Sequence, residues 1–126
     1  MTKIKICGMT CEADIKAVNT YLPDYIGFVF AKKSRRYVSP EKAEELKAML
    51  APGIQAVGVF VNEEPEQIVS LLEAGTIDVA QLHGQEGERE IRRLRELTDH
   101  LLIQAFRIDT EQDVERANAS TADYVL

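Results

Sequence analysis

The sequence predicts an α/β protein with a parallel β-sheet, and three observations support this prediction. Short apolar segments typical of strands alternate along the chain with helical segments of about 10 to 13 residues. Residues that favour helix starts stand between the two kinds of segment, as at Ser39-Pro40. No linker or low-complexity tract interrupts the 126 residues. Regular alternation of this kind produces parallel strands joined by right-handed crossovers, in a single domain over residues 1–126.

The strands are predicted from short runs rich in apolar and β-branched residues. They cover residues 3–7, 25–30, 56–61, 79–83, 101–108 and 123–126. The first helix is predicted to begin at about Thr10, with Cys11 packed inside its first turn. In the strand at 79–83, alternation places Gln81 and His83 on one face and Leu82 on the face that meets the helices.

The second and third helices carry clear boundary signals. Ser39 is suited to the N-cap of the second helix and Pro40 to its first position. Pro65 lies near the start of the third helix, and Gly75 lies just past its end.

The fourth and fifth helices are predicted from periodicity and capping. Ile91, Leu94 and Leu97 form an apolar stripe among charged residues. Thr110 with Asp113 is suited to capping the fifth helix.

Composition limits the class of protein. The net charge of −6 argues against nucleic acid or an anionic membrane as a partner. No apolar run approaches the roughly 18 residues of a membrane span, and charged residues interrupt any signal-peptide segment. Cys7 and Cys11 lie four apart, which is not the spacing of a redox Cys-x-x-Cys pair. We expect a cytoplasmic protein with reduced thiols.

The start of the chain is the strongest candidate for chemistry. Cys7 ends the first predicted strand, and Gly8 breaks it just before a helix, the position where α/β proteins place reactive groups. A thiol near a helix N-terminus or a lysine ionises more readily, and Lys5 lies on the same strand face as Cys7. The alternative is that Cys7 has no chemical role and packs as a small buried hydrophobic residue.

Unit lengths of about 20 to 28 residues suit both a (β/α)8 barrel and a doubly wound sheet, so periodicity alone does not choose between them. A flavodoxin-like receiver domain also fits the size, but the acidic pair expected after the first strand is missing.

Several segments in register resemble the phosphoribosylanthranilate isomerase family. They are KICGMT at 5–10, GFVF at 27–30, KSRRYVSP at 33–40, VGVFVN at 57–62 and QLHG at 81–84. The resemblance implies a TIM-type (β/α)8 barrel and a step of tryptophan biosynthesis. That step is the Amadori rearrangement of N-(5-phosphoribosyl)anthranilate to a 1-amino-1-deoxyketose. It also implies a small phosphosugar substrate and no metal or organic cofactor.

The resemblance assigns roles to two residues, and two more are expected beside them. It implies that Cys7 is the base and that Arg36 holds the anthranilate carboxylate, for which a planar guanidinium is suited. His83 and Lys5 are expected to contact substrate. From the residues alone, two alternatives remain. Arg36 could belong to a solvated basic loop, and His83 could be a hydrogen-bonded residue that lines the barrel. A zinc site from the cysteines and His83 would lack a fourth ligand, so none is expected.

The family's general acid, an aspartate, is expected one or two residues beyond Leu126, and Asp123 lies at the wrong end of its strand to replace it. We therefore expect an incomplete, C-terminally truncated barrel of about five βα units and a sixth strand. This chain should be inactive alone and should self-associate through open sheet edges. The alternatives are another phosphosugar (β/α)8 enzyme and a non-catalytic partial-barrel assembly or binding module.

Overall fold

The computed structural model describes residues 2–126 and contains one six-stranded sheet. Its strands β1 to β6 are Lys5–Cys7, Tyr25–Val29, Gln55–Phe60, Val79–Leu82, Leu101–Gln104 and Tyr124–Val125. The helices α1 to α5 alternate with them and are Glu12–Tyr21, Pro40–Lys47, Pro65–Glu73, Glu88–Leu97 and Glu111–Asn118. The predicted order of strands and helices is confirmed.

The order of the strands in the sheet decides between the two candidate architectures. It is β1-β2-β3-β4-β5-β6 with every neighbouring pair parallel, whereas a doubly wound sheet reverses its order part-way. The sheet is also strongly curled. Lys5 and Gln81 lie on strands three positions apart, about 14 Å along a flat sheet. Their side chains nevertheless meet, at 2.6 Å between Nζ and Oε1. The structure is the expected incomplete barrel.

The core lies between the convex face of the sheet and the helices. Alternate strand residues such as Phe28, Ala80 and Leu82 are buried there. Against them pack the helix residues Ile15, Leu46, Ile68, Leu72, Ile91 and Leu94. Each fully buried aliphatic or aromatic side chain contributes about 1.5–3 kcal/mol relative to exposure. The predicted alternation in β4 is confirmed, since Ala80 and Leu82 belong to this core and Gln81 faces the other side.

Most predicted helix ends are confirmed. The Ser39 hydroxyl accepts a hydrogen bond from the Lys42 backbone N–H at 3.1 Å, with Pro40 in the first turn. Gly75 adopts φ of 76° just beyond α3. Thr110 and Asp113 form a reciprocal cap on α5.

Four local predictions were wrong. Helix α1 begins at Glu12 rather than Thr10, because the Asp14 carboxylate accepts the Thr10 N–H at 2.9 Å and keeps that residue outside the helix. Cys11 is therefore the N-cap and is exposed instead of packed. Strand β5 ends at Gln104 rather than at residue 108. Leu97 is only half-buried, so the α4 stripe rests on Ile91 and Leu94.

Within residues 2–126, no helix has the length and apolar character needed to cross a membrane.

Candidate functional site

The site begins where β1 ends beside β2. Cys7 is paired in register with Gly27. A Cβ added to Gly27 would lie only 2.6 Å from the Cys7 sulfur, so the thiol lies directly over the glycine on the concave face of the sheet. Cys7 is half-buried. The missing side chain at position 27 is what leaves room for the thiol there.

The turn after Cys7 brings a cation to the same place. Gly8 adopts φ of 95°, a conformation that favours glycine, and its N–H donates to the Gly27 carbonyl at 3.0 Å. A Cβ on Gly8 would lie 2.6 Å from both Cδ and Nη1 of Arg36. The Arg36 guanidinium therefore lies across the bare glycine, and its Nη1 donates to the Cys7 carbonyl at 3.4 Å. The two residues that the sequence singled out are brought together.

The loop that carries Arg36 is tied to β2. The Val38 N–H donates to the Val29 carbonyl at 3.1 Å, and the Arg36 N–H donates to the Ser34 hydroxyl at 3.1 Å. These bonds hold the backbone of the loop, while the Arg36 side chain stays exposed to solvent. Arg36 is thus held at its backbone and open to a ligand at its guanidinium.

A second group of polar residues crosses the concave face. The Lys5 ammonium donates to Oε1 of Gln81 at 2.6 Å, and Nε2 of Gln81 lies 3.2 Å from Nδ1 of His83. Gln81 is buried, with only 2% of its surface exposed, whereas His83 is exposed at the end of β4. Sequence reasoning placed Lys5 and His83 in the site but missed Gln81. The available signal was a lone amide at an inward position of an apolar strand.

The loop after β4 is held by a carboxylate. Glu86 accepts the Gly84 N–H at 2.8 Å and the Asn62 N–H at 3.2 Å. The Asn62 side chain in turn accepts the Gln85 N–H at 2.9 Å. Sequence reasoning also missed Glu86, whose contacts join the ends of β3 and β4 and so support the backbone that follows His83.

The carboxyl groups whose pKa values are lowered lie outside the candidate site. The Thr10 N–H, with further hydrogen bonds, lowers the pKa of Asp14 at the start of α1. The Asp109 N–H and the Arg116 guanidinium lower the pKa of Asp113 to about 2. In residues 2–126, no three His, Cys, Asp or Glu side chains are placed to share a metal ion.

The opposite end of the strands, where they begin, carries structural polar contacts. Asp123 pairs with Arg95 and accepts the Leu102 N–H at 2.8 Å. Nδ1 of His100 lies 2.8 Å from the Thr98 hydroxyl. Asp123 therefore lies at the end of the strands away from Cys7, as the strand direction predicted.

Comparison with known families agrees with this geometry. The family model described as N-(5'phosphoribosyl)anthranilate (PRA) isomerase matches residues 4–126. The chain belongs to this family. Curated isomerases of that name from Clostridium kluyveri and Endomicrobium trichonymphae are 40% and 43% identical to it over all 126 residues. The chain spans about 61% of the length of these relatives.

Solved isomerase structures have the same fold. The enzyme from Thermotoga maritima matches 99% of the chain with a TM-score of 0.86 and 39% identity, and 61% of that protein is covered. A second phosphoribosyl anthranilate isomerase was solved in complex with reduced 1-(o-carboxyphenylamino)-1-deoxyribulose 5-phosphate. It matches 93% of the chain at 41% identity with a TM-score of 0.82, and 59% of it is covered. The expected family is confirmed.

Proposed function

We propose that this site serves the isomerisation of N-(5'-phosphoribosyl)anthranilate in tryptophan biosynthesis. The observation that carries the proposal is the Arg36 guanidinium lying over Gly8 with its Nη1 on the Cys7 carbonyl. A base and an anion-binding group are thereby joined at one end of the sheet. The carboxyl edge of a parallel barrel is where such enzymes bind substrate.

Cys7 is assigned the role of base. In the rearrangement, the opened sugar is an iminium whose C2 proton is acidic. The Cys7 thiolate takes that proton, the C2–H electron pair forms the enolamine double bond, and the iminium nitrogen becomes a neutral amine. The enolamine then tautomerises to the ketone. Opening the sugar needs an acid, a role that the resemblance places after β6, and we assign it to none of the described residues.

Arg36 is assigned the role of holding the anthranilate carboxylate. A guanidinium presents parallel N–H groups that match two carboxylate oxygens, and such charge-assisted pairs are among the stronger hydrogen bonds. The guanidinium of Arg36 is exposed, and within residues 2–126 its one hydrogen bond is from Nη1 to the Cys7 carbonyl at 3.4 Å, so its other donors are open. His83 and Lys5 are assigned contacts with the phosphosugar. One of the three N–H donors of Lys5 bonds Gln81, which leaves two for substrate.

The first test is binding of the reduced 1-deoxyribulose 5-phosphate analogue that a relative binds. We expect Arg36→Met to weaken binding at least tenfold, because a hydrogen bond to a charged group is worth about 1.5–3 kcal/mol. Arg35→Met is the matched control, since it removes the neighbouring charge in the same loop. Equal losses in both variants would show that only general basicity of the loop matters, and would contradict the proposal.

The second test addresses Cys7. In a Cys11→Ser background, iodoacetamide modifies Cys7 alone, since the chain has only these cysteines. We expect the analogue to slow this reaction. Any isomerase rate of the chain should fall by about 10²- to 10⁴-fold in Cys7→Ala. An alkylation rate unaffected by saturating analogue, or a turnover rate unchanged in Cys7→Ala, would contradict the assignment.

We also propose self-association through the sheet edges. Strands β1 and β6 are the outer strands of the described sheet, and Tyr124 and Val125 of β6 are about half exposed, at 48% and 50%. Unpaired strand edges promote pairing with other chains. A sedimentation profile with only monomer at micromolar concentration would contradict this proposal.

We propose a cytoplasmic location, because both cysteines are free thiols and reduced cysteines are typical of that compartment. Cell fractionation tests it, and recovery in a secreted or membrane fraction would contradict it.

A further inference from the structure

We propose that Gln81 is a positioning residue that holds the neutral imidazole of His83 in the tautomer with its proton on Nε2. The inference stands on the contacts Lys5–Gln81–His83, which link β1 to β4 across the concave face. Only its final step, the use of His83 toward substrate, rests on the function proposed above.

Lys5 decides which way the Gln81 amide is turned. An ammonium group has three donors and no acceptor, so at 2.6 Å it must face the amide oxygen and not the nitrogen. Gln81 is 2% exposed, which leaves little room for water to replace either partner. The amide NH₂ is therefore turned toward His83.

The orientation of the amide then decides the state of the imidazole. The NH₂ group of Gln81 only donates, so Nδ1 of His83, 3.2 Å away, must accept. A neutral imidazole that accepts at Nδ1 carries its proton on Nε2, and a doubly protonated ring has no acceptor at all. The contact thus selects one of the two neutral tautomers.

The consequence is a hydrogen-bond donor at the C-terminal end of β4. His83 lies beyond Leu82 at the end of the strand, with its backbone N–H bonded to the Phe60 carbonyl at 2.8 Å, and its ring is exposed. The Nε2–H is then available for an oxygen of the phosphosugar. The donor is prepared before substrate arrives, so binding does not require a change of tautomer.

The test is nitrogen-15 NMR of the imidazole rings at about pH 8.5, where an ordinary histidine is neutral. The chain has two histidines, and His100 near Thr98 serves as the internal control. We expect wild-type Nδ1 of His83 to be unprotonated. In Gln81→Glu the new carboxylate can only accept, so the proton should move to Nδ1 and the downfield Nδ1 resonance should be lost. His100 should be unchanged.

Two further variants keep the inference open to refutation if Gln81→Glu does not fold. Lys5→Met removes the group that orients the amide, and Gln81→Met removes the donor. Both should introduce a detectable Nδ1–H population at His83. A wild-type ring protonated at Nδ1, or a His83 spectrum identical in all folded variants, would overturn the inference.

Binding of the analogue separates this inference from the proposed function. We expect Gln81→Met to weaken binding about fivefold, which corresponds to one weakened hydrogen bond of about 1 kcal/mol. If the tautomer changes as expected while binding does not, the positioning stands and the substrate role of His83 fails. If wild type does not bind the analogue, the proposed function fails, and the tautomer result still decides the inference.

Discussion

The contact between Gly27 and Cys7 makes a quantitative prediction about the variant Gly27→Ala. The added methyl would lie 2.6 Å from Sγ and 3.2 Å from Cα of Cys7. Carbon and sulfur normally approach no closer than about 3.5 Å, so the thiol must move by about 1 Å. Overpacking of this kind costs about 1–3 kcal/mol. Replacing a strand glycine by alanine returns about 0.5–1 kcal/mol, so we expect a net destabilisation of about 1–2 kcal/mol.

A double-mutant cycle isolates the part of this cost that is due to the sulfur. In a Cys7→Ala background Sγ is absent, and the remaining neighbours, Cα and Cβ of residue 7, lie at 3.2 Å and 3.3 Å, which are tight but tolerable contacts. Gly27→Ala should then be nearly neutral. The coupling free energy should be about 1–2 kcal/mol, within the range found for residues in contact.

Urea unfolding of the four proteins measures the cycle, provided that their m-values agree. Gly27→Ala with the same cost in both backgrounds would refute the reasoning, because the thiol would then not occupy the space over Gly27.

Three further predictions follow from the same kind of local evidence. Gly8→Ala and Gly53→Ala share a positive φ, 95° and 92°, but only the methyl at position 8 meets Arg36. Both should lower stability by about 1–2 kcal/mol, while analogue binding falls only in Gly8→Ala; equal binding would contradict the placement of Arg36. Ser39→Ala removes the cap on α2 and should cost about 1 kcal/mol in urea unfolding; an unchanged midpoint would contradict that role. Asp113 has its pKa lowered to about 2 from 3.8, so its stabilisation is present above about pH 4 and is lost as the pH falls toward 2. The difference in Tm between wild type and Asp113→Asn should shrink over that interval, and a constant difference would contradict it.

Much of the fold was predictable because its signals are local. The caps at Ser39 and Thr110 and the helix end at Gly75 depend on hydrogen bonds and backbone angles within a few residues, which the sequence displays directly. Boundaries failed where a nearby side chain competed with the helix. Asp14 accepts the Thr10 N–H, so α1 starts later and Cys11 is exposed.

The candidate site divides in the same way. Cys7 and Arg36 were recognisable because each lies in a motif of distinctive residues after a predicted strand. The motifs do not show that Gly8 and Gly27 leave the space in which these two groups meet, since that space depends on how β1, β2 and the loop after β2 pack.

The sequence by itself determined that strands and helices alternate, where most helices begin, and which family the chain resembles. Only the tertiary structure decided that the strands lie in the order β1 to β6 and curl until Lys5 reaches Gln81. The physical reason is that curvature accumulates from the twist between successive strands. A contact between β1 and β4 depends on the twist added at three successive strand pairs, and no local pattern in the 126 residues shows that total.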